Sequence, residues 1–340
     1  MALSGNTITL EEEARLSARR IFTLIAHELQ QVELEFERQA NSNVQVIAYL
    51  GDYLRRSGGK RVRPALTILS NYAVGGDGAR HNSIRMATVM EFLHTATLVH
   101  DDIIDEADMR RNRPTVNALY GNATAVLMGD WLYMSAFETS LAERSLEILD
   151  ILTSVTRKMT EGEILQLTSL GHADVTEAHY LDVLQRKTAY LFSASCEIGG
   201  ILGTASEAER NALRDYGLSL GTAFQLTDDL LDFTSNETTL GKAAGADLLG
   251  GKVTLPLIYL IQNRPETREM VQTVLHEGRY ESTSQQELCK AISESGALEQ
   301  TRKRAHEYAE NARAALDVLR ESEYSDSLRA LPTYVLDRDR

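Results

Sequence analysis

Residues 122–167, "NATAVLMGDWLYMSAFETSLAERSLEILDILTSVTRKMTEGEILQL", carry apolar side chains at intervals of three and four without a single proline. That interval is the signature of amphipathic or buried helices, because 3.6 residues complete a turn. The pattern extends outward in both directions. The whole chain has five prolines, and none falls between Pro114 and Pro256. Short alternating β-branched runs bounded by Asn-Gly or Asp-Gly, the marks of strands, are almost missing. Breaks fall at glycine-rich stretches such as "RSGGKRVRP" (56–64), "AVGGDGARHN" (73–82), "SLGHADVTE" (169–177) and "LGKAAGADLLGGKV" (240–253). With no short repeat or low-complexity segment, the expectation is an all-α single domain spanning 1–340, its motifs gathered at about 44–260.

A chain of 340 residues with 43% hydrophobic and 25% charged side chains has ample material for a core. Its net charge of −14 argues against general nucleic-acid binding, which needs a basic footprint. The opening "MALSGNTITLEEEARL" has neither the basic nor the apolar region of a secretory signal, and no long apolar run suggests a membrane span. Cys196 and Cys289 show no pairing or metal-binding spacing, so they read as two buried thiols of a cytoplasmic protein.

Two apolar helical runs end in the same acidic pattern. "LVHDDIIDEADMRR" (98–111) places Asp101, Asp102 and Asp105 together, and "FQLTDDLLDF" (224–233) repeats the arrangement with Asp228, Asp229 and Asp232. At about 100° per residue, the first and last aspartates of each motif share a helix face and the middle one flanks it. Two carboxylates about 4 Å apart repel by roughly 1 kcal/mol even in water, so a positive group is expected between them. Six oxygen-donor side chains suit Mg²⁺, which keeps several waters and shares its shell with phosphates. An EF-hand does not fit, since Ile103 and Ile104 occupy loop positions and the turn glycine is missing.

Cations stand near these motifs. Lys60, Arg61 and Arg63 sit on a glycine-led loop entering a helix, where backbone amides and basic side chains can hold an anion. Arg110 and Arg111 follow the first acidic motif, Lys187 and Thr188 lie mid-helix, and Lys242 and Lys252 follow the second motif. His94 falls seven residues before Asp101, about 20° away around the axis. Thr188 is expected to bond back to the carbonyl four residues earlier and bend its helix.

Taken in order, "GGKRVRP", "LHTATLVHDDIID…DMRR", "RKTAYLF" and "GTAFQLTDDLLDF…GK…GGK…TLPL" resemble the trans-isoprenyl diphosphate synthases, and most closely the long-chain members. The resemblance implies a helical fold around a central cavity, usually in a homodimer. It also implies head-to-tail condensation of isopentenyl diphosphate onto an allylic diphosphate primer. Carried over by position, Asp101, Asp105 and Asp228 are direct Mg²⁺ ligands, and Asp102, Asp229 and Asp232 support them. Lys60, Arg63, His94 and Arg111 form the isopentenyl diphosphate site. Arg110, Lys187, Thr188, Gln225, Lys242 and Lys252 contact the allylic diphosphate. Val253 and Asn112-Arg113 depart from the family pattern, both at expected loop positions.

In that family a bulky aromatic four or five positions before the first aspartate stops chain growth. Here those positions are Thr97 and Ala96, both small. A stripe of Thr97, Ala96, Leu93 and Val89 is therefore expected to line an open tunnel of roughly 18 Å, at about 1.5 Å per residue. Leu152 is the candidate floor by resemblance. The product implied is a long polyprenyl diphosphate, octaprenyl favoured, whose slow release would need at most peripheral membrane contact. Four rivals remain open: a farnesyl or geranylgeranyl diphosphate synthase, a terpene cyclase, a non-catalytic subunit of a heteromeric synthase, and a plain acidic cation-binding or scaffold protein. The second "DDLLD" speaks against a cyclase, and six intact aspartates speak against an inert subunit. The terminal "DRDR" (337–340) is expected to be solvated.

Overall fold

The computed structural model describes residues 20–56, 59–234 and 244–337. They are helical almost throughout. In chain order the helices are α1 (Ala26–Gln39), α2 (Gln45–Arg56), α3 (Val62–Ala73), α4 (His81–Ile104), α5 (Val116–Tyr120), α6 (Asn122–Leu141), α7 (Leu146–Ser169) and α8 (Glu177–Leu184). There follow α9 (Tyr190–Leu202), α10 (Glu207–Thr234), α11 (Ala246–Leu249), α12 (Leu255–Asn263), α13 (Arg268–Glu277), α14 (Gln285–Glu294), α15 (Ala297–Ala315) and α16 (Glu323–Leu336). Among the described residues no helix is long and apolar enough to cross a membrane.

The helices that carry the acidic motifs are the longest or nearly so, and they are buried for different lengths of their surface. In α4, residues from Ser83 to Val99 are almost all inaccessible, including Met86, Val89, Met90, Phe92 and Leu93. A helix apolar on every side belongs in the middle of a bundle, and α4 packs along α6, α3 and α1. Helix α10 is amphipathic. Glu207 and Glu209 favour its N-terminus electrostatically, and the Glu209 carboxylate accepts from the Ser206 amide at 2.8 Å. Its inner face packs on α9 and α15.

Three apolar clusters follow from this layout. One joins α1, α3, α9, α10 and α16 around Leu66, Leu69, Phe192, Tyr216 and Leu328. A second joins α4, α6 and α7 around Phe92, Leu93, Met128, Leu132 and Leu152. The third sits under α12 to α15, with Leu257, Leu260, Val271 and Ile292. Cys196 is buried and Cys289 only half-buried, and neither is in a disulfide; the expectation of two buried thiols therefore holds for Cys196 alone.

One feature of the backbone departs from the all-helical reading. Residues 109–114 form a two-stranded hairpin, Met109–Arg110 against Arg113–Pro114. Its central residues, Arg111 and Asn112, have φ of 51° and 61°. Tight hairpin turns require positive φ at both central positions, and Asn tolerates it at small cost. Asn112 thus supplies one of the two positive φ values that the turn requires.

Candidate active site

Both acidic motifs lie at helix C-termini. Asp101 and Asp102 end α4, Asp105 is its C-cap, and Asp228 to Asp232 fall in the last two turns of α10. A helix C-terminus already carries about half a negative charge, so carboxylates there are doubly unfavourable without a cation. The two ends open into one cavity of about 760 Å³. Asp101, Asp105, Asp228 and Asp229 line it, together with Lys60, Arg63, His94, Thr97, Arg110, Arg111, Lys187, Thr188, Gln225 and Lys252. Lys242 lies outside the described residues.

Five of the six motif aspartates have distinct environments. Asp101 is pushed up to about 6 by burial, a push that Glu163 and Asp105 add to and Lys187 opposes. Asp105 accepts from Lys252 Nζ at 3.1 and 3.2 Å, an ion pair between two residues of the cavity lining. Asp102 is behind the lining, buried and bonded to Arg110 Nε at 2.7 Å. Asp229 is raised to about 8 by burial and then by Asp247, although hydrogen bonds from Tyr180 Oη and Gln225 Nε2 oppose the rise. Asp232 turns away from the cavity lining. Its carboxylate accepts from the amides of Ala246 and Asp247, at 3.1 and 3.4 Å, and so caps α11.

The cations form an opposing wall. Arg63 is enclosed by protein and stacks over the Phe192 ring at 4.8 Å, and its Nε has no hydrogen-bond partner. Burial lowers it to about 10, with Arg111 lowering it further and Glu91 countering. An enclosed guanidinium with an unused donor is matched to an anion. Burial, then Arg63, Arg111 and Arg110, keep the His94 imidazole well below its ordinary range, so it is a neutral N–H donor or acceptor near pH 7. Lys60 Nζ stands 5.4 Å from the ring of Tyr334, which brings α16 over this corner. The expected solvated tail falls mostly outside the described residues, since 338–340 are not among them.

Thr188 behaves differently from the expectation of a back-bonded bend. Residues Gln185–Ala189 form a single π-helical turn between α8 and α9, and the Thr188 hydroxyl donates to Gln225 Oε1 at 3.1 Å. The distortion comes from the widened turn. Such π-bulges concentrate at functional sites because they re-aim side chains. Lys187 emerges from it to pair with Glu163 at 2.6 Å. Gly162 of α7 makes room, since a Cβ there would sit 2.6 Å from Arg186 Cβ and 3.1 Å from the Lys187 amide nitrogen.

The stripe expected to line a tunnel is packed shut here. Val89, Leu93, Ala96 and Leu152 have no exposed surface and pack in one cluster, while the cavity lining reaches Thr97 and Leu98 and includes none of the four. The reason is rotational. Steps of four residues drift by about 40° each, so a stripe from Asp101 through Thr97 and Leu93 to Val89 has turned about 120°. The face that lines the cavity with Asp101 instead turns the other way round the helix, through Leu98, His94 and Glu91.

Several lining residues had no place in the reading of the sequence: Glu91, Tyr180 and Asp247. Asp247 had a signal, an acid five residues before Lys252 in the same glycine-rich loop. Tyr180 had a weaker one, two helical turns before Lys187. Among the described residues no three His, Cys, Asp or Glu side chains stand close enough to hold an ion alone.

An all-helical bundle with acidic helix ends facing a basic wall across one cavity defines a class of enzymes that handle diphosphates. The Polyprenyl synthetase family profile matches residues 44–293, and the chain belongs to that family. It is a trans-prenyltransferase. The octaprenyl diphosphate synthase of Escherichia coli (strain K12) is 41% identical over 326 residues, 96% of this chain and all of the relative. Two solved structures superpose with a TM-score of 0.89 and 35% identity, each covering 95% of this chain. One is a polyprenyl synthase from Caulobacter crescentus CB15 complexed with calcium and isoprenyl diphosphate, covered over 98% of its length. The other is a decaprenyl diphosphate synthase from Rhodobacter capsulatus, covered over 99%.

Proposed function

We propose that the protein condenses isopentenyl diphosphate head-to-tail onto an allylic diphosphate, with Mg²⁺, and makes a long all-trans polyprenyl diphosphate, octaprenyl favoured. The observation that carries this reading is the pairing of two acidic helix ends with a cationic wall around one cavity. Carboxylates raised by burial and by one another fit a divalent ion, which would lower that cost. Asp101, Asp105 and Asp228 would hold it directly. Because no three acids converge among the described residues, water and diphosphate oxygens would complete the shell. When bound, Mg²⁺ supplies charge neutralisation to the departing diphosphate.

The chain's own groups do the rest. Arg110, Lys187 and Lys252 bind the allylic diphosphate and stabilise the negative charge that grows on it as the C–O bond breaks. To do so Lys187 must exchange Glu163, and Lys252 must exchange Asp105, for phosphate oxygens. Lys60, Arg63 and Arg111 hold the isopentenyl diphosphate, and neutral His94 donates to it without adding charge. Thr188 and Gln225, bonded to each other, fix the wall between the two motifs. No side chain acts as a nucleophile: the double bond of isopentenyl diphosphate attacks, and a proton leaves to the released diphosphate.

The long product rests on small Ala96 and Thr97 and on the likeness to long-chain relatives. A growing chain would have to part the packed cluster that contains Leu93 and Leu152, and each buried CH₂ would return about 0.8 kcal/mol. The partner we propose is a second copy. Leu127, Met134 and Leu141 recur every seven residues on α6 and are at least half exposed, and Leu146, Ile164 and Leu167 of α7 are exposed as well. An apolar stripe of that length is costly in water and suits a self-complementary contact.

The test is an incubation with Mg²⁺, labelled isopentenyl diphosphate and farnesyl diphosphate, with product lengths resolved. A ladder ending near the octaprenyl length is expected. Products stopping at geranylgeranyl length would keep the chemistry and remove the reading of Ala96 and Thr97, and no product with any primer would point to a non-catalytic subunit.

A further inference from the structure

Arg61 lies between Lys60 and Arg63 in sequence, yet its side chain turns away from a ligand role. Its guanidinium is 13% exposed and is claimed by three other segments. Nη1 donates to Glu91 of α4 at 2.6 Å, Nη2 to the carbonyl of Arg55 at the end of α2 at 3.1 Å, and Nε to Glu33 of α1. Burial works against the Arg61 charge, and the two carboxylates more than reverse that. The residue is the N-cap of α3 with φ 48° and ψ 39°, a left-handed conformation unfavourable for a non-glycine residue. Such a conformation persists where surrounding contacts over-determine it. The loop itself is threaded between guanidinium groups: a Cβ added at Gly59 would lie 3.1 Å from Nη1 of both Arg61 and Arg111.

We infer that the Glu33–Arg61–Glu91 array is a strut that positions Lys60, Arg63 and Arg111 for the isopentenyl diphosphate, and that Arg61 and Glu33 are positioning residues for that substrate alone. This rests on the proposed condensation and assigns it a specific support. Arg110, Lys187, Thr188, Gln225 and Lys252, the allylic contacts proposed above, are not among the groups that Arg61 hydrogen-bonds, which are Glu33, Glu91 and the Arg55 carbonyl. Glu91 has a second effect. It is the buried counter-charge among Arg61, Arg63 and Arg111, three cations that would otherwise repel each other while the site waits for its anion.

The experiment measures condensation kinetics for the full chain, varying isopentenyl diphosphate and farnesyl diphosphate in turn, for the wild type, Arg61→Gln, Glu33→Gln and the double variant. Thermal unfolding is followed in parallel. Arg61→Gln should raise KM for isopentenyl diphosphate about tenfold, and Glu33→Gln about threefold, with kcat and KM for farnesyl diphosphate within twofold. The double variant should be no worse than Arg61→Gln, since residues acting as one unit are not additive. Equal rises in both KM values, a fall in kcat alone, or no change would overturn the strut. Should Arg61→Gln fail to fold, Glu33→Gln decides the matter, because Glu33 is a partly exposed partner. A wild type that never saturates with isopentenyl diphosphate would instead remove the underlying reading, and the strut with it.

Discussion

The two acidic motifs have the same spelling and opposite surroundings. At the end of α4 the middle and third aspartates are paired with side-chain cations, Asp102 with Arg110 and Asp105 with Lys252. At the end of α10 the corresponding residues meet neutral donors. Asp229 is bonded to Tyr180 and Gln225, and Asp232 to the backbone amides that open α11. Cationic partners make the first end an electrostatic clamp, in which Lys252 reaches Asp105 across a long gap in sequence. Neutral partners make the second end a fixed wall, whose buried Asp229 is raised to about 8. An acidic motif is therefore defined by what satisfies it as much as by its spacing.

That contrast can be broken most severely at the first aspartates, both of which line the cavity. Asp101→Ala or Asp228→Ala should lower kcat on the order of 10³-fold with little loss of fold, as judged by single-turnover assays beside circular dichroism. The third aspartates should then separate the two ends. Asp105→Asn is expected to cost about tenfold or more in kcat/KM. Asp232→Asn should change it less than threefold, because an amide oxygen caps a helix almost as well as a carboxylate does. Equal losses at 105 and 232 would mean that both ends work in the same way.

Smaller effects test the middle aspartates by urea unfolding. Arg110→Gln leaves buried Asp102 without its ion pair and should destabilise by about 2 kcal/mol, below the usual range for buried pairs because Arg110 is itself partly exposed. Tyr180→Phe removes one hydroxyl from Asp229, and about 1 kcal/mol is expected. A larger loss for Tyr180→Phe than for Arg110→Gln would reverse the assignment of clamp and wall. Gly162→Ala probes the π-turn, and crowding against Arg186 should cost roughly 1–3 kcal/mol.

Much of this was legible in the sequence, for identifiable reasons. Helix content followed from apolar periodicity, and the two motifs announced themselves as rare clusters of like charge inside apolar runs. What escaped depended on rotation, on pairing across the chain, or on backbone detail. The stripe through Leu93 and Val89 looked aligned with Asp101 until the drift per turn was counted. Tyr180 and Glu91 are ordinary letters whose importance comes from partners 49 and 30 residues away. The hairpin at 109–114 is too short to produce an alternating pattern, and Asn112 supplies its positive φ without the glycine that would have flagged it.

The widened turn at Gln185–Ala189 has one more consequence. A π-turn holds one residue more than an α-turn, so everything after it is offset by about 100° from where an unbroken helix would have carried it. The rod from Glu177 to Leu202 is thus two half-rods in different phase: α8 presents Tyr180 and Leu184 to the cavity, while α9 presents Phe192 beneath Arg63. Deleting a single residue from 185–189 would bring the halves back into phase and swing the second half's inward face aside, whereas a conservative substitution there would leave the phase intact. At this joint the number of residues constrains the chain more tightly than their identity does.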